Sequence, residues 1–138
     1  MPGKIEIQVI TPNPTGQEKH KFHGQSDMII LCCETGDMGI LPGRVACSAI
    51  LGDGALRVID EEETRKIAVF GGVFHFENDV LTVLTQKAFF PSEIDITTTQ
   101  ALIQEHETSL THEMNPTNKD IIRKELRRKR VLLDVASS

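Results

Sequence analysis

The segment Lys4-Ile5-Glu6-Ile7-Gln8-Val9 alternates strictly between polar and apolar positions, which predicts a strand with Ile5, Ile7 and Val9 on one buried face. Short apolar segments follow at Glu18 to His23, Met28 to Glu34, Val45 to Leu51, Ala55 to Asp60, Arg65 to Phe70, Val73 to Glu77 and Val80 to Gln86. Eight short strands in about ninety residues predict a sandwich or barrel. Gly52-Asp53-Gly54, Gly71-Gly72 and Asn78-Asp79 read as the turns between strands.

After Pro91 the pattern changes. No Gly and no Phe occur, Pro116 is the one remaining proline, and two helices forming an αα-hairpin are predicted. Ser92, followed by Glu93 and Asp95, reads as the first N-cap, and Asn115-Pro116-Thr117 as a stop, a turn and a second cap. The first helix is weakly encoded, because Ile96-Thr97-Thr98-Thr99 is a β-branched run. In the second, Ile121, Ile122, Leu126, Leu132 and Leu133 share one arc, and Arg123, Lys124, Arg127, Arg128 and Arg130 share the other. The organisation expected is an all-β sandwich over residues 1–91 and a two-helix hairpin over 92–138. All six phenylalanines precede Pro91 and the chain has no Trp or Tyr, so the aromatic core belongs to the β part.

Charge sharpens this division. The chain of 138 residues has a net charge of -5, but residues 92–116 carry five acids and no Lys or Arg, whereas 117–138 carry seven basic residues against three acidic ones. An acidic helix thus pairs with a basic one, held by few apolar contacts and much screenable charge. The acidic balance of the whole argues against a protein that coats nucleic acid. The apolar runs fall far short of the roughly 20 residues that span a bilayer, and the N-terminus shows no apolar signal core, so membrane association is expected only through a partner. Cys32, Cys33 and Cys47 cannot make a disulfide framework, which favours a reducing compartment.

Chemistry-bearing patterns are sparse. His20 and His23 fall on opposite faces of a strand, and His106 and His112 are six apart on a helix, where metal ligand pairs want three or four. No metal is therefore expected. Neither phosphate-binding glycine signature occurs, no serine stands in a nucleophile elbow, and Gly36, Gly39 and Gly43 surround a proline in a strand connection. Asp60-Glu61-Glu62-Glu63 reads as a solvated hairpin tip. Cys32 and Cys33 read as structural, on opposite faces of one strand. The basic arc of the second helix reads first as a docking face toward acidic protein, with solvated surface or nucleic acid as the remaining readings.

Thr35-Gly36-Asp37-Met38-Gly39-Ile40-Leu41-Pro42-Gly43-Arg44 resembles the stretch Glu-Gly-Glu-x-Gly-x-x-Pro-Gly-His of the epsilon-subunit family of the bacterial rotary ATP synthase. The likeness continues through Gly54-Ala55-Leu56-Arg57-Val58 and through Phe70-Gly71-Gly72-Val73-Phe74-His75-Phe76-Glu77-Asn78-Asp79-Val80-Leu81-Thr82-Val83-Leu84. The resemblance implies a ten-stranded sandwich and a C-terminal helical hairpin, seated on the central stalk between the gamma subunit and the c-ring. It implies no catalytic residues, and a place at the cytoplasmic face of the bacterial plasma membrane without insertion into it. The rotor contact is expected in the loop Asp37 to Arg44, Met38 included, where Gly39 and Gly43 permit close backbone approach, Pro42 stiffens the turn and Asp37 and Arg44 supply polar contacts. The family's hairpin can lie folded or extend into the catalytic head, where Arg123, Lys124, Arg127, Arg128 and Arg130 would face an acidic loop of the beta subunits and block hydrolysis.

Two departures modify that expectation. The family's His after Pro-Gly is Arg44, and its Pro-Leu-Leu is Ala46-Cys47-Ser48. Members that bind ATP carry Ile/Leu-Asp-x-x-Arg-Ala at the first helix; here Ile94 and Asp95 remain and Thr98 replaces the Arg, so no cofactor is expected and the ATP motif is degenerate. On the residues alone, a standalone sandwich binding a ligand or metal, and a nucleic-acid module using the basic helix, stay open as alternatives.

Overall fold

A computed structural model describes residues 3–12, 18–61 and 63–137. The His20 side chain and Glu62 lie outside the described residues. Among the described residues eight strands are formed: β1 (Ile5–Pro12), β2 (Glu18–Ser26), β3 (Met28–Cys33), β4 (Gly36–Ile40), β5 (Cys47–Ile59), β6 (Thr64–Glu77), β7 (Val80–Leu84) and β8 (Ala88–Phe89). A 3-10 turn at Pro91–Glu93 leads to helices α1 (Ile96–His112) and α2 (Pro116–Ala136).

Two pairs of expected strands are single long ones. The segments around Gly52-Asp53-Gly54 join into β5, and those around Gly71-Gly72 into β6, with pairing unbroken in register from Leu51 opposite Gly72 to Asp53 opposite Phe70. These glycines bend continuous strands instead of ending them: φ is +69° at Gly71 and +113° at Gly72, and a Cβ on Gly72 would run into the Leu84 carbonyl. Of the three expected turns, only Asn78-Asp79, with φ of 51° and 60°, reverses the chain.

The bend folds one hydrogen-bonded sheet into two layers. One runs β2-β1-β7 and then the second half of β6 and the first half of β5; the other runs β4-β3, the second half of β5, the first half of β6, and β8. Because β5 and β6 each serve both layers, eight strands supply five segments to each side of the sandwich. Ile5, Ile7, Val9, Phe74, Phe76, Leu81 and Val83 of the first layer meet Ile29, Leu31, Leu56, Val58, Ile67 and Val69 of the second in one core. The alternation seen in Lys4 to Val9 is thus an inner and an outer face.

The hairpin lies on the second layer. α1 is capped by Asp95, whose carboxylate accepts from the Thr98 N–H at 3.1 Å, and not by Ser92, which falls in the 3-10 turn. That cap starts the helix at the β-branched run, where the Thr99 hydroxyl also donates back to the Asp95 carbonyl at 2.7 Å. Asn115 caps α2 as expected, accepting from Thr117 N–H at 2.9 Å, with Pro116 at the first helical position. Leu126 and Val135 are the residues α2 buries.

Candidate functional site

Three surfaces are built by this fold. The first is one end of the sandwich, where the turn after β4 meets the Asn78-Asp79 hairpin. The Gly43 N–H donates to the Asp79 carboxylate at 2.7 Å, φ at Gly43 is +87°, and Arg44, Val45, Ala46, Glu77 and Asn78 line a shallow hollow beside them. Leu41 and Val45 are exposed there. Pro42, Gly43 and Arg44 are therefore together, but Asp37, Met38 and Gly39 are not part of a loop with them. They lie on β4, paired with Cys32, Leu31 and Ile30, and Asp37 sits at the opposite end of that strand, bound to Arg57 at 3.1 Å. The strand forms because Met38 and Ile40 alternate with the outward Asp37 and Gly39, a pattern that Gly36 and Gly39 obscure.

The second surface is the outer face of the first layer. Ile50 stands opposite Val73, Val73 opposite Leu84, and Leu84 opposite Ile10, so four apolar side chains form one rung across β5, β6, β7 and β1. Ile50 is 56% exposed, Val73 45% and Leu84 44%. The neighbouring rung is polar: Ser48 and His75 are hydrogen-bonded at 2.7 Å, with Thr82 and Gln8 beyond. None of the rung residues was singled out in the sequence. The signal was present, since each belongs to an apolar doublet, Val9-Ile10, Ile50-Leu51, Val73-Phe74 and Val83-Leu84, and a strand must turn one member of a doublet outward.

The third surface is α2. Its cations do not form a single solvated arc. Arg128 faces the sandwich, donating through Nε to Asp53 at 2.9 Å with the Asp53 side chain only 8% exposed, and its guanidinium lies 5.1 Å above the Phe70 ring. Phe70 is consequently a docking residue for the helix and not part of the central core. Arg127 stands 4.0 Å from the same carboxylate, Arg130 pairs with Glu107 of α1 at 3.0 Å, Arg123 with Asp120 at 3.2 Å, and Lys66 of β6 holds Asp134 at 3.4 Å. Lys124 lines the cleft between α2 and the bend. Ile121, assigned to the apolar arc, is exposed, while Val135 is buried.

At the aligned ATP motif, Asp95 is the cap of α1. The hydrogen bond from the Thr98 N–H holds the Asp95 carboxyl below the usual carboxylate range, and Ile94 ends the 3-10 turn. Burial pushes the Cys32 and Cys33 thiols up, against a reactive role.

Residues 4–91 match the family model of the ATP synthase delta/epsilon chain beta-sandwich domain. The chain belongs to the ATP synthase delta/epsilon family. It is 30% identical over 116 residues to the ATP synthase epsilon chain of Prochlorococcus marinus strain MIT 9301, covering 81% of this chain and 83% of that one. It is 29% identical over 128 residues to the epsilon chain of Bacillus pumilus, covering 93% and 92%. In fold it is similar to a chain in the Euglena gracilis mitochondrial ATP synthase structure of OSCP, F1 and c-ring, with a TM-score of 0.80 at 19% identity, covering 100% of this chain and 84% of that one.

A delta/epsilon chain is a subunit of the ATP synthase other than the catalytic one. The family model ends at residue 91, whereas the longer match to the Bacillus pumilus chain reaches into the helices. Among the described residues no helix is long and apolar enough to cross a membrane.

Proposed function

We propose that this chain is a non-catalytic central-stalk subunit whose sandwich, residues 1–91, couples the gamma subunit to the c-ring, and whose hairpin, residues 92–138, restrains ATP hydrolysis. The observation that carries the coupling role is the rung of Ile10, Leu84, Val73 and Ile50. Apolar side chains aligned across four strands on an outward sheet face form a patch suited to burial against a partner. The gamma subunit is assigned to that face. The c-ring is assigned to the end formed by Pro42, Gly43 and Arg44 with Asn78 and Asp79, where glycine and a tight hairpin permit close approach. This arrangement keeps the chain peripheral, at the cytoplasmic face of the bacterial plasma membrane, through its partners. Changing Val73 and Ile50 together to Asp should abolish co-purification with gamma while the isolated chain keeps its β-sheet circular dichroism. Undiminished capture of gamma would refute the assignment.

The inhibitory role is supported by how the α2 cations are used. Arg128 and Arg127 are engaged by Asp53 of the sandwich when the hairpin is docked, so they become fully available to an acidic loop of the beta subunits only when it leaves, whereas Arg130 pairs with Glu107 inside the hairpin itself. Inhibition and docking therefore compete for the same groups. With Arg123, Arg127 and Arg130 all changed to Ala, hydrolysis by the reconstituted catalytic head at low salt should rise above that with the unaltered chain. Equal rates would confine the chain to coupling.

A further inference from the structure

Beside the hinge between sandwich and hairpin lies a cleft of about 240 Å³ that no part of the proposed function uses. Its walls are Phe22 of β2, Glu63 and the start of β6 from Thr64 to Ile67, and the hinge residues Phe90 and Pro91. The Phe22 and Phe90 rings meet edge to face with centroids 6.0 Å apart, and the Arg65 guanidinium lies 5.1 Å over the Phe22 ring. Among the described residues Arg65 forms no ion pair, in contrast to Arg57, which holds Asp37, and to Lys66, which holds Asp134. The buried side chain of Ile67 supplies apolar surface, and Glu63 is exposed.

We infer that this cleft binds a small aromatic carboxylate, its ring against Phe22 and Phe90 and its carboxylate on Arg65. Two features select that class. Aromatic walls favour a planar apolar body, and a guanidinium without an anionic partner among the described residues, held in place over a ring, presents its donors to a planar bidentate anion. Ile94, Asp95 and Thr98 do not line the cleft, so it is separate from the degenerate ATP motif. Because Phe90 and Pro91 form one wall, an occupied cleft ties the hinge to β2 and β6 and favours the docked hairpin.

The test uses 1-naphthoate with the full chain, followed by its fluorescence and by chemical shifts of Phe22 and Phe90. Saturable one-to-one binding is expected, weakened roughly ten-fold or more by Arg65→Ala, because a charge-assisted contact is lost. Naphthalene without the carboxylate, and cyclohexanecarboxylate without the aromatic ring, should each bind more weakly than 1-naphthoate. Saturating 1-naphthoate should slow amide exchange in α1 and α2. Absence of binding, or equal affinity of the Arg65→Ala chain shown folded by circular dichroism, would overturn the site. Binding with unchanged exchange in both helices would overturn its effect on docking.

Discussion

Asp53 is the residue on which hairpin docking turns, and Asp53→Asn isolates its charge with almost no change in volume. In the docked form its carboxylate, 8% exposed, accepts the Arg128 Nε at 2.9 Å, while the Arg128 side chain is 21% exposed. Removing one member of a fully buried pair costs about 3 to 5 kcal/mol. Arg128 retains some water and Asn retains an acceptor, so about 1 to 3 kcal/mol is the appropriate range here. That corresponds to a shift of roughly five- to 150-fold in the docking equilibrium. Hydrogen exchange by mass spectrometry reads it, because a two-helix hairpin without the sandwich has little stability of its own and its amides then exchange faster. The change should be confined to α1 and α2 and leave the strands protected. Adding Arg128→Gln to Asp53→Asn should cost much less than the sum of the single changes, as expected for groups that act as a pair. The functional readout has a defined sign: Asp53→Asn frees the hairpin and leaves every α2 cation intact, so hydrolysis by the catalytic head should fall. Helical exchange rates unchanged by Asp53→Asn would refute the latch.

A chain ending at Pro91 should fold and still capture gamma, since the central core is drawn from residues before Phe90; loss of β-sheet circular dichroism would contradict this. Thr98→Arg restores the cation that the ATP motif lacks and should bring ATP binding into a range that calorimetry detects, whereas the unaltered chain should show none at micromolar nucleotide; a tight complex with the unaltered chain would contradict the reading. Lys4, 2.6 Å away, holds the Asp60 carboxyl at about 2, below its ordinary value of 3.8. Because the folded value is the lower one, the contribution of Asp60 is present above about pH 4 and is lost as pH falls through 2, and Lys4→Met should raise the Asp60 titration seen by carbon NMR.

The β part was legible because its core obeys a period of two. The strict alternation at Ile5, Ile7 and Val9 is the inner face of β1, and Asn115 and Pro116 mark the start of α2. What alternation misses is long-range. Gly71 and Gly72 carry turn chemistry in sequence, but the β5–β6 register continues past them, and only the approach of Leu84 explains why glycine is needed. Asp53, inside an apparent glycine turn, gave no sign of its partner 75 residues away. A helical wheel assigns Arg128 to the solvent arc by angle, yet its stem and guanidinium can still cover Phe70. The strand β4 was hidden by residue type, because glycines at 36 and 39 outweigh two apolar positions in any local propensity.

Salt separates the two uses of the basic helix. The exposed docking pair of Lys66 with Asp134, like the pair of Arg130 with Glu107 inside the hairpin, is screened as ionic strength rises, with the Debye length falling from about 10 Å at 0.1 M to about 3 Å at 1 M. Asp53 with Arg128 is shielded from solvent and loses less, and the apolar contacts of Leu126 and Val135 lose nothing by screening. An extended hairpin engaging an acidic loop through several exposed cations has no comparable buried pair within this chain to fall back on. Screening should therefore weaken the inhibitory contact more than the docked one, so added salt drives the hairpin home and relieves inhibition. Hydrolysis titrated with salt should then rise for the unaltered chain and rise less for Asp53→Asn, which lacks the shielded pair. A relief of inhibition equal in the two chains would show that docking does not depend on Asp53, even if exchange rates had moved.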